Sequence, residues 1–118
     1  MSTKSPECWE SDPNAHGVKV EVSAERSLLL PFDQFAFAEL TAEGKQQHLR
    51  LVFATHEVSV RGNSLRRVET AMQRKELSWL TALRGQYGSL VPGGQAMIRE
   101  ILVTESETAK DIERRGGP

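Results

Sequence analysis

The apolar pattern of residues 49–60 limits what this chain can fold into more than any other feature. Leu49, Leu51 and Phe53 alternate at odd positions, whereas Val58 and Val60 lie at even ones. A strand keeps one parity on its buried side, so the backbone must bulge or bend sharply near residues 54–57.

Similar alternation appears elsewhere. Val18, Val20 and Val22 alternate with Lys19 and Glu21, which predicts a strand over 18–23. Leu28, Leu29 and Leu30 form a short run stopped by Pro31, as expected of a brief edge segment, because proline cannot donate to a ladder. Two stretches stay open between strand and helix. In residues 34–40 an extended chain would place Phe35 and Phe37 on one side and Ala36, Ala38 and Leu40 on the other, while Ala, Glu and Leu also favour a helix. In residues 77–82 Leu77, Trp79 and Thr81 alternate, while Leu77, Leu80 and Arg84 would share a helical face. Strand is preferred in both. Residues 97–105, MIREILVTE, are rich in apolar and β-branched groups and predict a last strand.

One helix is expected, over residues 64–75. Gly62 frees the chain from the preceding strand, Asn63 or Ser64 offers an oxygen to an amide of the first turn, and Leu65, Val68 and Met72 recur at helical spacing. A helix this short is marginal in water, so it must draw stability from lying on a sheet. The order of elements points to an α+β fold: a small, curved, mainly antiparallel sheet of about five or six strands with one principal helix, a partly closed barrel being the alternative. Residues 1–16 read as an N-terminal tail in which Trp9 is the one sticky group, 17–105 as a single domain, 84–95 as a loop and 106–118 as a flexible C-terminal tail. The chain has no internal repeat.

Formal net charge is -1 over 118 residues, which argues against a uniformly basic nucleic-acid binder. The charge is unevenly spread. Residues 1–60 hold five basic and nine acidic side chains, residues 61–84 hold six and two, and residues 85–118 hold four and five. The positive block coincides with the expected helix. Within it, Arg66 and Arg67 fall in the first helical turn, where exposed amides already make the site electropositive and cations are disfavoured. The expectation is that Arg61, Arg66 and Arg67, with the Asn63 and Ser64 amides, receive an anion, and that Arg74 and Lys75 extend that surface along the helix. An acidic protein segment or a phosphate-bearing ligand would suit it. Nucleic acid is less favoured, because the aromatic platforms that bind single strands are not interleaved with the basic residues. Neutralisation of the block by the acidic first half of the chain is the competing reading.

Catalytic signals are sparse, and an enzyme is the least favoured reading. His16, His48 and His56 occur singly, with no metal-ligand spacing joining them, so neither a metal nor a cofactor is expected. His56 and Glu57 are adjacent and would pair only if the backbone were irregular there. Cys8 stands without a neighbouring basic group, and VPGGQ at 91–95 lacks the Lys-Ser/Thr ending of a phosphate loop. Glu105 and Glu107 share a strand face and read as a solvated edge. The chain has no run of 18 apolar residues and no apolar leader, and its single cysteine cannot form an internal disulfide; a cytoplasmic location and no membrane partner are expected. The sequence thus predicts a non-catalytic binding or assembly module. Self-association is the alternative, since residues 34–40 have two apolar faces and a small sheet has edges to cover.

Overall fold

A computed structural model of the chain describes residues 8–83 and 96–105. Eight strands and one α-helix are formed among them: β1 (Trp9–Ser11), β2 (Gly17–Ser23), β3 (Arg26–Pro31), β4 (Phe35–Glu43), β5 (Gln46–Phe53), β6 (His56–Asn63), α1 (Arg66–Gln73), β7 (Leu77–Thr81) and β8 (Met97–Glu105). The α+β, mainly antiparallel character is as expected. The strands divide, however, into two four-stranded sheets ordered β1-β7-β2-β3 and β4-β5-β6-β8, rather than one sheet of five or six. Both are open. The one parallel ladder among the described residues joins β2 to β7, with Lys19 opposite Trp79.

The parity change at 49–60 is a hairpin. β5 and β6 pair antiparallel with Leu51 opposite Val58 and Leu49 opposite Val60, so odd positions on one strand meet even positions on the other. All four are fully buried. The change of parity that forbids one strand is what two paired strands require when two residues, Ala54 and Thr55, separate them. Val18 and Val20 of β2, Leu77 and Leu80 of β7, Ile98 and Ile101 of β8, and Val68, Ala71 and Met72 of α1 join the same apolar cluster, so both sheets and the helix share one core. Each fully buried aliphatic side chain contributes about 1.5–3 kcal/mol.

Bulges correct two of the sequence-based expectations. Residues 34–40 do form a strand, but the β4–β5 register shifts between Phe35 and Phe37. The two phenylalanines therefore face opposite ways: Phe35 packs edge-on against Phe53 with ring centroids 5.4 Å apart, while Phe37 is 49% exposed. A second shift, opposite Arg61 and Gly62, makes Arg99 the extra residue of β8. It explains how Ile98 and Ile101, three apart, are both buried. Gly62 does not release the chain from the strand; β6 runs on to Asn63. At Gly62 any Cβ would overlap the Met97 carbonyl oxygen, so the bulged β8 approaches β6 at a distance only glycine allows.

The stretch 8–16 also departs from the expected tail. Cys8 is fully buried, and β1 pairs with β7 with Trp9 opposite Leu80. The Asp12 amide donates to the Glu76 carbonyl oxygen at 2.6 Å. Local composition argued for disorder; the exposed edge of β7 supplied the backbone partners that the sequence pattern could not reveal. The expected loop at 84–95 and tail at 106–118 lie outside the described residues.

Candidate functional site

Helix α1 is shorter at both ends than residues 64–75, and the backbone shows why. Ser64 and Lys75 both have left-handed dihedrals, with φ of 55° and 57°. At the front, neither Asn63 nor Ser64 caps the helix. The Leu65 amide donates instead to Oε1 of Gln47, at 2.7 Å, so the cap comes from β5 across the chain. At the back, the Lys75 amide donates to the Met72 carbonyl and the Glu76 amide to the Ala71 carbonyl, both at 2.9 Å. This is the paired closure that usually places glycine where Lys75 stands. Helix α1 contacts β4 of one sheet and β7 of the other.

With Val68, Ala71 and Met72 turned inward, Arg66, Arg67, Arg74 and Lys75 are exposed. None of the four has an ion-pair partner among the described residues. Arg67 and Arg74 are seven residues apart, about two turns or 10 Å along one face. They line a shallow groove of about 240 Å³ whose helical side also includes Thr70 and Ala71. Trp9 and Ser11 of β1 form the facing side, and Glu76 lines the groove as well. The groove thus combines two guanidinium groups with no ion-pair partner among the described residues, two hydroxyls, a half-buried indole and the Glu76 carboxylate.

The outer face of the second sheet is arranged differently. Arg50 of β5 donates to Glu39 of β4 and Glu57 of β6, each at 2.9 Å. These bonds raise the arginine pKa further and hold the Glu57 carboxyl below the usual carboxylate range. Arg61 of β6 lies between Glu43 of β4, at 3.3 Å, and Glu100 of β8, at 3.2 Å, which likewise raises its pKa. His48 and Ser59 share a hydrogen bond of 2.6 Å, and His48 Nδ1 stands 4.0 Å from Glu43. All of these contacts lie on one face; each joins neighbouring strands except Arg61–Glu43, which reaches across β5 from β6 to β4.

The residues expected to gather around an anion at the head of the helix are therefore divided. Arg61 belongs to the sheet and is held by the protein's own acids. Asn63 is occupied too, donating to the Lys45 carbonyl at 2.8 Å and accepting from Arg99 at 3.3 Å. Ser64 serves as the left-handed turn residue. Arg66 is exposed in the first turn, and Lys75 closes the last. Only Arg67 and Arg74 line the groove, and the sequence reading missed its companions Ser11, Thr70 and Glu76. Trp9 carried a signal, as an indole in an otherwise polar segment. His56 does not pair with Glu57: its Nδ1 bonds Thr55 Oγ1 at 2.8 Å, while Glu57 turns to Arg50.

No protein-family model matches this chain, and no curated protein or solved structure matches it. Among the described residues, no helix is long and apolar enough to cross a membrane.

Proposed function

We propose that the chain is a cytoplasmic, non-catalytic binding module that takes an acidic protein segment into the groove between α1 and β1. One observation carries this reading: Arg67 and Arg74 face the groove without an acidic partner among the described residues, whereas Arg50 and Arg61 on the sheet are each held by two carboxylates. An unpaired guanidinium offers a fork of donors suited to a carboxylate. The spacing also selects a ligand shape. A polyproline-type extended segment rises about 3.1 Å per residue with three residues per turn, so acids three apart share a side and lie about 9 Å from each other. That matches the two arginines. Trp9 adds an apolar wall for the intervening residues.

The test is titration of the full chain with a labelled peptide carrying glutamates three residues apart, followed by fluorescence anisotropy at two salt concentrations. Binding should weaken with salt and be lost in the double variant Arg67→Glu, Arg74→Glu, while its thermal melt stays within about 0.5 kcal/mol of the parent. Peptide binding that survives the double reversal would end the proposal. Displacement by inorganic phosphate at low concentration would instead identify a phosphate-bearing ligand.

A further inference from the structure

Among the described residues the two sheets have four edge strands, and three of them are protected against pairing with another chain. β1 is only three residues long. β4 has a bulge at its start and carries Glu39 and Glu43. β8 has a bulge at Arg99 and carries Glu100 and Glu105. Short length, bulges and charges are the usual means of blocking edge-to-edge association. β3, with the sequence RSLLLP, differs: its own register is regular from Ser27 to Pro31, and its one charge is Arg26 at the hairpin end. Leu29 at its centre is 71% exposed.

The free side of β3 follows from the ladder with β2. The Phe32 amide donates to the His16 carbonyl at 3.0 Å. This bonded pair lies one step beyond Gly17 opposite Pro31, so bonded and unbonded pairs alternate back along the strand. Val18–Leu30 and Val20–Leu28 fall in the bonded class. Ser27, Leu29 and Pro31 consequently turn their backbone groups away from β2, to the open edge.

We propose that β3 is a self-association edge at which a second copy of the chain adds its own β3 antiparallel, about a two-fold axis at Leu29. In that register Leu29 meets the second copy's Leu29 as a bonded pair, with two reciprocal hydrogen bonds. Each Ser27 amide donates to the other copy's Pro31 carbonyl oxygen. Pro31 has no amide to contribute, and its position at the strand end limits the pairing to this short span. The two leucine side chains lie side by side on the outer face and cover each other. The same pairing sets Arg26 of each copy beside the turn that carries Asp33 of the other. Both are exposed, and neither has an ion partner among the described residues. The edge is thus self-complementary in hydrogen bonding, apolar contact and charge, and the two four-stranded sheets become one of eight strands.

Sedimentation of the full chain over a wide concentration range tests this. Mass should rise from one chain toward two, and Leu29→Lys should weaken association about tenfold or more, because like charges would meet directly across the axis. The melt of that variant should be unchanged, since Leu29 is exposed in the single chain. Arg26→Asp should weaken association as well, and adding Asp33→Arg should restore it. A parent chain that stays at single-chain mass throughout overturns the proposal. So does association that Leu29→Lys leaves unchanged.

Discussion

The outer face of the second sheet and the exposed face of α1 both carry arginines, and they differ in what geometry places beside them. On the sheet, a side chain meets its neighbours on flanking strands at about 4.5–5.5 Å, however distant they are in sequence. Arg50 thereby reaches Glu39 and Glu57, and Arg61 reaches Glu100, while the long Arg61 side chain also spans β5 to Glu43 on β4. On the helix, the neighbours are the residues three and four positions away. For Arg67 these are Asn63, Ser64, Thr70 and Ala71; for Arg74 they include Thr70 and Ala71, and none of these is acidic. The same side chain is a structural clasp in one place and, among the described residues, stands without an acidic ion-pair partner in the other. The comparison teaches that a count of basic residues along the chain says little about a site until the acids across the sheet have been assigned.

The most severe way to break the contrast is Gly62→Ala, at the seam where β6 runs toward α1. Its Cβ would overlap the Met97 main chain, which cannot move aside as a flexible side chain can. Chemical denaturation should show a loss of about 3 kcal/mol or more. A smaller effect of opposite sign is expected at the other end of the helix. Lys75→Gly relieves a left-handed residue of its Cβ and should raise stability by about 1 kcal/mol. Binding of the acidic peptide should persist in this variant, because Arg67 and Arg74 are untouched; its loss would enlarge the site to include Lys75.

The smallest expected effect separates the two regions by pH. Bonding to Arg50 gives Glu57 a lower pKa in the folded chain than in the unfolded one. Such a group adds stability above its unfolded pKa, and that stability is lost as pH falls through the folded value. Glu57→Gln should therefore destabilise the protein at neutral pH. The loss should not exceed about 1 kcal/mol, with solvent screening reducing it because the side chain is about one-third exposed. The two proteins should converge only as pH falls below the folded Glu57 pKa, which itself lies under the ordinary carboxylate value. Equal melts at neutral pH would mean that the Arg50 clasp is only a surface contact.

Much of the secondary structure was legible because it rests on local periodicity. Alternation marked β2 and β5, the parity change marked the β5–β6 turn, and Leu65, Val68 and Met72 marked the helix. The bulges were not legible, since an extra residue such as Arg99 has meaning only against the strand it fails to pair with. β1 was hidden for a related reason: three polar-flanked residues show no period, and their stability comes from the edge of β7. The candidate site was half legible. Arg67 and Arg74 could be read from the chain, but the removal of Arg61 and Asn63, occupied by Glu43, Glu100, Lys45 and Arg99, could not.

By itself, the order of residues determined which stretches are extended, where the helix lies and which of its side chains point outward, because each depends on neighbours within a few positions. The tertiary structure decided that the strands form two sheets, that Gln47 caps the helix and that Arg50 and Arg61 are neutralised while Arg67 and Arg74 have no acidic partner among the described residues. Those outcomes depend on partners 7 to 39 positions away in the chain, and no local pattern specifies which strand will bring them into reach.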